Sequence, residues 1–150
     1  MSRHESLTKL KPVSKSDYRF LYNLLKEGDP RANISHKKMP SYRQHVSVIS
    51  SKPYSKWYVI LYDTSKVGSL YLSKQNEIGI FITKNMHAKK IGTTALNILI
   101  KKNRRKRYLA NINPKNKPAI YLIEKLGFKL TITYPNYLLY ELDNQSDINS

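Results

Sequence analysis

The sequence predicts a single mixed α/β (α+β) domain, a central mixed sheet of about 6–7 strands flanked by about 4 helices. Three observations carry that expectation. The chain has 150 residues, the usual size of one domain, and 40% of them are hydrophobic. It has no cysteine, so disulfide scaffolds, thiolate-bound metals and cysteine nucleophiles are excluded. Its apolar residues fall into alternating strand-like and helix-like runs, in the order β, α, α, β, β, β, α, β, α, β, β.

The first run, Leu7 to Val13, alternates apolar and polar residues up to Pro12 and reads as a strand. Ser16 or Asp17 can cap a helix with Phe20, Leu21, Leu24 and Leu25 on one face, stopped by Gly28-Asp29-Pro30. Residues 31–40 read as a polar loop holding His36. Ser41 can cap a second helix with Val46 and Ile49 inward and His45 nearby, ended by Ser50, Ser51 and Pro53. Residues 56–62 and 67–72 are aromatic and β-branched and form a hairpin about the turn 63–66. After Lys74-Gln75-Asn76 comes Glu77-Ile78-Gly79-Ile80-Phe81-Ile82, continuous enough for a central strand buried on both faces. A polar loop over 83–90 leads into a helix over 91–100 with Ala95, Leu96, Leu99 and Ile100 inward. Residues 108–113 read as a strand. Asn116 caps a last helix with Pro118 in its first turn and Gly127 just past its end. A final hairpin over 128–133 and 136–142 turns at Tyr134-Pro135, and residues 143–150 read as a disordered polar tail.

Charge narrows the function. There are 27 lysines and arginines against 10 acids, a formal net charge of +17, so the chain attracts anions. Six of the seven residues Lys101 to Arg107 are basic. At a helix C-terminus such a run is electrostatically favourable, and no aromatic residue alternates with it for base stacking. No apolar run approaches the roughly 20 residues that span a bilayer, and no secretory leader is seen, so a cytoplasmic protein is expected. Four histidines without ligand spacing predict no metal.

Two blocks in this order resemble the GNAT family of acetyl-CoA-dependent N-acetyltransferases over roughly residues 7–142. One is Glu77 to Ile82 followed by Lys89-Lys90-Ile91-Gly92-Thr93-Thr94-Ala95-Leu96, similar to the family's central strand and pyrophosphate loop. The other is Asn116-Lys117-Pro118-Ala119-Ile120 running into Glu124-Lys125-Leu126-Gly127-Phe128, similar to its Asn-x-x-Ala and Glu-Lys-Leu-Gly-Phe block. The stretch 39–45, with 57–60 and 67–72, resembles the branch acting on nucleotide-linked amino sugars and ribosomal protein N-termini. Two positions depart from the pattern. His87 and Lys90 stand where the family loop has Arg or Gln and its first Gly, and Ile123 stands where many members carry a tyrosine acid.

The resemblance implies a site. The N–H groups of Lys89, Lys90, Ile91, Gly92 and Thr93 would surround the acetyl-CoA pyrophosphate, with His87 beside them and a hydroxyl from Thr93 or Thr94. Backbone atoms of Ile80, Phe81 and Ile82 would hold the pantetheine arm and meet the oxyanion. Asn116 would touch pantetheine or the leaving sulfur, although capping a helix is explanation enough for it. Glu77 is a candidate general base, with His45 and His36 as alternatives. Tyr137 and Tyr140 are candidates for proton donation or for lining the acceptor site.

The expected protein is therefore a GNAT-like domain over residues 1–142. It would move an acetyl group by direct transfer in a ternary complex to a small primary amine, first a nucleotide-linked amino sugar. A protein N-terminus or lysine is the alternative acceptor, and a degenerate basic binding module the alternative class. A homodimer fits the family. Neither a membrane nor nucleic acid is an expected partner.

Overall fold

The protein's computed structural model describes residues 7–27, 40–86 and 90–144. His36, His87 and Lys89 lie outside the described residues, as does the tail from 145 on. Seven strands and four helices follow in the expected order: β1 (Thr8–Pro12), α1 (Tyr18–Glu27), α2 (Tyr42–Ser50), β2 (Lys56–Tyr62), β3 (Ser65–Leu72), β4 (Ile78–Ile82), α3 (Ile91–Lys102), β5 (Arg107–Ile112), α4 (Lys117–Lys125), β6 (Lys129–Thr133) and β7 (Leu138–Asp143). Short 3₁₀ turns occupy Lys15–Asp17 and Lys84–Met86.

The single mixed sheet is in fact two antiparallel sheets, β1-β2-β3-β4 and β5-β7-β6. One parallel bridge, Glu77 to Leu109, joins them among the described residues. Leu109 N–H donates to the Asn76 carbonyl there at 2.9 Å. Beyond that point β4 and β5 run side by side without a ladder, which leaves a V open toward their C-terminal ends.

Strand alternation divides the first sheet into two faces. Tyr58 and Ile60 on β2, Leu70 and Leu72 on β3 and Ile78 on β4 face α3 and α4, where Ile91, Leu96, Leu99 and Ile123 complete the main core. Val59 faces the other way and packs with Leu21 of α1 and Ile49 of α2. Each fully buried aliphatic side chain of this kind contributes roughly 1.5–3 kcal/mol relative to exposure.

Several local details differ from expectation. Ser14, not Ser16 or Asp17, opens the turn before α1, and Asp17 reaches back from its third position to accept the Ser14 N–H at 2.9 Å. Asp17 is fully buried, with the Lys11 Nζ at 2.6 Å and the Lys66 Nζ at 2.7 Å. Burial works against its charge, but the two ammonium groups and the Ser14 hydrogen bonds overcome it and hold the carboxyl well below the usual range. In α2 the buried residues are His45 and Ile49, while Val46 is only half-buried. Helix α3 extends through Lys102 and absorbs the start of the basic run, because Asn103 caps it with an N–H to Leu99 O. Strand β7 extends through Asp143, and Asn144 is buried and bonded to the Lys106 carbonyl at 2.8 Å, so the ordered chain outlasts residue 142. Gly127 has φ +98, the left-handed stop expected after α4.

Candidate functional site

The V is built from β4 upward. Ser73 N–H donates to Glu77 O at 2.8 Å, and Thr83 N–H donates to Val67 O at 2.9 Å. In an antiparallel pair, bonded positions recur every second residue. The residues of β4 bonded to β3 are therefore Glu77, Gly79 and Phe81, the last opposite Ser69. The N–H and C=O of Ile78, Ile80 and Ile82 point the other way, into the V. Ile80 is the first of these clear of the Glu77–Leu109 bridge. Of the three strand residues named from the sequence, Phe81 thus has its backbone engaged by β3, and Ile80 presents its backbone to the gap.

The loop after β4 leads to the N-terminus of α3. Ser41 caps α2 by accepting from Gln44 N–H at 3.1 Å, and Asn116 caps α4 by accepting from Ala119 N–H at 3.3 Å. Helix α3 differs. Its first flanking residue is Lys90, exposed, and among the described residues no side chain is bonded to the first turn. The N–H groups of Ile91, Gly92 and Thr93 precede the first intrahelical bond, which Thr94 N–H makes to Lys90 O at 3.2 Å. The Thr94 hydroxyl donates to the same carbonyl at 3.1 Å. Gly92 is buried, and a Cβ there would stand 3.1 Å from Leu122 and 3.2 Å from Ile82. The absent side chain lets the helix start close against the end of β4 and against α4.

The proposed acid–base residues are not gathered at one point. Glu77 is half-buried at the closed end of the V, with its N–H on Ser73 Oγ at 2.9 Å. By alternation it shares a face with Gly79 and Tyr71. The Tyr71 ring covers Gly79 so closely that a side chain there would overlap it. Tyr71 stacks on Tyr54 at 3.8 Å and 6°, and Tyr54 meets Trp57 edge-on at 4.8 Å. Burial raises the phenols of both Tyr54 and Tyr71, and the Glu77 charge adds to the rise. His45 is buried in the seam of α1 and α2, its ring 5.6 Å from that of Tyr22. Tyr137 lies in the β6–β7 turn at the open end, stacked on Tyr134 at 4.5 Å. Tyr140 is buried and donates to Glu124 at 3.0 Å, which ties β7 to α4.

Sequence reasoning missed a cavity of about 620 Å³ at the open end, lined by Glu27, Tyr62, Lys66, Thr83, Lys84 and Met86 among others. Glu27, the last residue of α1, accepts the Lys84 N–H at 2.6 Å and so ties that helix to the segment following β4. Residues 57 positions apart carry no local signal for such a contact.

The arrangement offers two anion-directed backbone features at one end of the molecule, an open strand edge and an uncapped helix start. Comparison with known proteins agrees with it. The sequence profile of the acetyltransferase (GNAT) family matches residues 18–128. No curated protein sequence matches the chain. Among solved structures, a domain from Methanocaldococcus jannaschii is 26% identical with TM-score 0.79, over 91% of this chain and 97% of that one. The protein YncA from Salmonella typhimurium, solved with its cofactor acetyl-CoA, is 14% identical with TM-score 0.72, over 91% and 94%. A ribosomal alpha-N-protein acetyltransferase, RimL, in complex with coenzyme A, is 13% identical with TM-score 0.74, over 95% and 97%.

Proposed function

The chain belongs to the acetyltransferase (GNAT) family, and from that premise we propose that it acetylates the primary amine of a small anionic acceptor, a nucleotide-linked amino sugar. It is an acetyl-CoA-dependent N-acetyltransferase. The observation that carries the site assignment is the pairing of the Ile80 backbone, turned into the V, with the uncapped N-terminus of α3 a short loop away.

The residues fit the donor. Helix α3 directs three N–H groups and its positive dipole end at the position of a pyrophosphate. Lys90 in place of the family's glycine removes no N–H and adds an ammonium beside it. The edge of β4 accepts an extended amide-bearing arm by strand-like hydrogen bonds. When bound, acetyl-CoA supplies the activated thioester. Ile80 N–H then donates to the carbonyl oxygen as negative charge gathers on it. The acceptor nitrogen bonds to the carbonyl carbon, the carbon–sulfur bond breaks with its electron pair leaving on the coenzyme A thiolate, and the amine must lose a proton. Glu77 takes it through water, since it stands three steps along the strand, about 10 Å, from Ile80. Tyr137, at the open end, lines the acceptor approach. His45, within the α1–α2 seam, holds those two helices together.

The cavity at the open end lies within the usual 300–1,000 Å³ range of small-ligand sites, and Lys84 on its wall offers a cation to an acidic acceptor, Lys66 being held by Asp17. A net charge of +17 disfavours polyamines and basic peptides.

Melting with and without acetyl-CoA tests the donor site. At 100 times Kd the ligand adds about 2.7 kcal/mol, a rise of about 5–10 °C for a domain of this size. No rise at millimolar acetyl-CoA would exclude the donor site. An amine panel then tests the acceptor. Turnover of a peptide amine with none of a nucleotide-linked amino sugar would overturn the acceptor class.

A further inference from the structure

Along the chain the cations look scattered, and Lys101 to Arg107 alone reads as a solvated helix end. The strand register gathers them. At the closed end of the V, Lys56 faces Leu72, Leu72 faces Ile78, Glu77 bridges Leu109, Arg107 faces Asp143 and Glu141 faces Lys129. These pairs trace one continuous rim across both sheets, from β2 to β6. Every segment on it except β7 brings an exposed cation: Lys56 on β2, Lys74 in the β3–β4 turn, Arg104, Lys106 and Arg107 before and on β5, and Lys129 on β6. Against these six cations stand three acids, the half-buried Glu77 and, on β7, Asp143 opposite Arg107 and Glu141 at 3.4 Å from it.

The central part of this rim is held rigidly. Buried Asn103 donates its side-chain amide to Tyr58 Oη and to Leu99 O, both at 3.2 Å. Tyr108 Oη donates to Asn103 O at 2.7 Å and accepts from Arg105 N–H at 3.0 Å. Asn144 holds the far side, donating from its side chain to Arg105 O at 3.2 Å and from its backbone to Lys106 O at 2.8 Å. The turn's carbonyls are thus bonded inward while its cationic side chains are left to solvent. Such fixed cations lose less freedom on binding than the same charges on a loose tail.

We propose that this rim is a docking face for the phosphate backbone of single-stranded nucleic acid, at the opposite end of the V from the donor-binding helix start. Six strands at about 4.8 Å spacing make it roughly 24 Å long, the length of about seven nucleotides at the roughly 3.4 Å rise of a stacked strand. The cations stand in a line on separate segments, as a linear polyanion requires. They do not surround an apolar helix face, as a membrane-lying helix requires. The rim is also remote from the proposed pyrophosphate position. Helix α3, with 12 residues and so about 18 Å long, carries the basic turn at one end and the uncapped N-terminus at the other. Lysine and arginine contacts of this kind go to phosphate, so binding is to backbone and carries no base preference.

The test uses the full chain and a fluorescein-labelled oligouridylate of about 20 nucleotides, read by anisotropy at about 50 and 200 mM salt. The rim variant Lys74→Gln/Arg104→Gln/Lys106→Gln is expected to bind at least about tenfold more weakly, with a salt slope lower by about 2. A control variant, Lys26→Gln/Arg43→Gln/Lys115→Gln, removes the same charge at the other end of the molecule and is expected to lose less than about threefold. A second rim variant, Lys56→Gln/Lys129→Gln, repeats the test should the first fail to fold. The acetyl-CoA melting shift is read alongside and is expected to be unchanged, so a failed donor site and a failed rim give different results. Equal weakening in rim and control variants would reduce the effect to net charge and overturn the proposal. So would absence of binding at the lower salt, or binding of phosphatidylserine vesicles or polyglutamate without the oligonucleotide.

Discussion

Replacing Ile80 by proline removes one hydrogen-bond donor from the V and leaves the ladder with β3 intact. The alternation of β4 makes this possible. Ile80 N–H points away from β3, whereas the neighbouring Phe81 N–H points toward Ser69. Proline fits strand positions whose N–H is not needed by the ladder. Ile80→Pro is therefore expected to fold, losing about 1–3 kcal/mol as its half-buried side chain shrinks, or about 2–12 °C in Tm. Removal of a single oxyanion donor typically lowers kcat by about 10²–10³, or about 2.7–4 kcal/mol of barrier. Phe81→Pro is the contrast: it removes a ladder donor inside the sheet and is expected to cost about 3 kcal/mol or more in stability. The assay is steady-state acetyl transfer to the best amine of the panel, with Tm measured on the same samples. An Ile80→Pro enzyme with kcat within about threefold of the parent would refute the assignment of that N–H to the reacting carbonyl.

Other substitutions test other parts of the structure. Asp17→Asn keeps the shape but loses the charge between Lys11 and Lys66, and is expected to cost about 2–3 kcal/mol, a Tm loss of about 4–12 °C at neutral pH. Because the Asp17 carboxyl is held below its ordinary value, its contribution is present above about pH 4 and fades as pH falls further, so thermal melts of parent and variant should converge in acid. Gly79→Ala places a methyl group in the Tyr71 ring; displacement of that ring from Tyr54 is expected to cost about 1–3 kcal/mol and to change the near-ultraviolet circular dichroism. Asn116→Ala removes the cap on Ala119 N–H and should lower Tm by about 2–4 °C; a much larger loss of activity than of stability would add a contact with the donor to its capping role.

The order of elements was legible because its signals are local. Aromatic and β-branched runs mark β2 and β3, Asn116 and Gly127 bracket α4, and the structure keeps all of these. What pairs with what was not legible. Nothing in Glu77 to Ile82 indicates that, among the described residues, bridging to β5 stops at Glu77, because a strand's composition reports its burial and not its neighbour. For the same reason one mixed sheet was expected where two stand. The lysines around Asp17 come from β1 and β3, and Asp17 alone reads as a cap. The site suffered most, since its working groups are backbone N–H groups. The sequence offers Ile80, Phe81 and Ile82 as equals, and only the register tells which of them turns toward the gap. The rim of cations is a product of topology in the same way, spread along the chain from Lys56 to Lys129.

The V between β4 and β5 also bears on solubility. A strand edge with free amides invites another chain to add itself, and a gap kept for an extended substrate exposes two such edges. Here the two edges part from the Glu77–Leu109 bridge and face each other. Each one shields its counterpart from foreign polypeptide while remaining open to a slender unbranched arm. The same geometry that admits a substrate thus guards the sheet against aggregation.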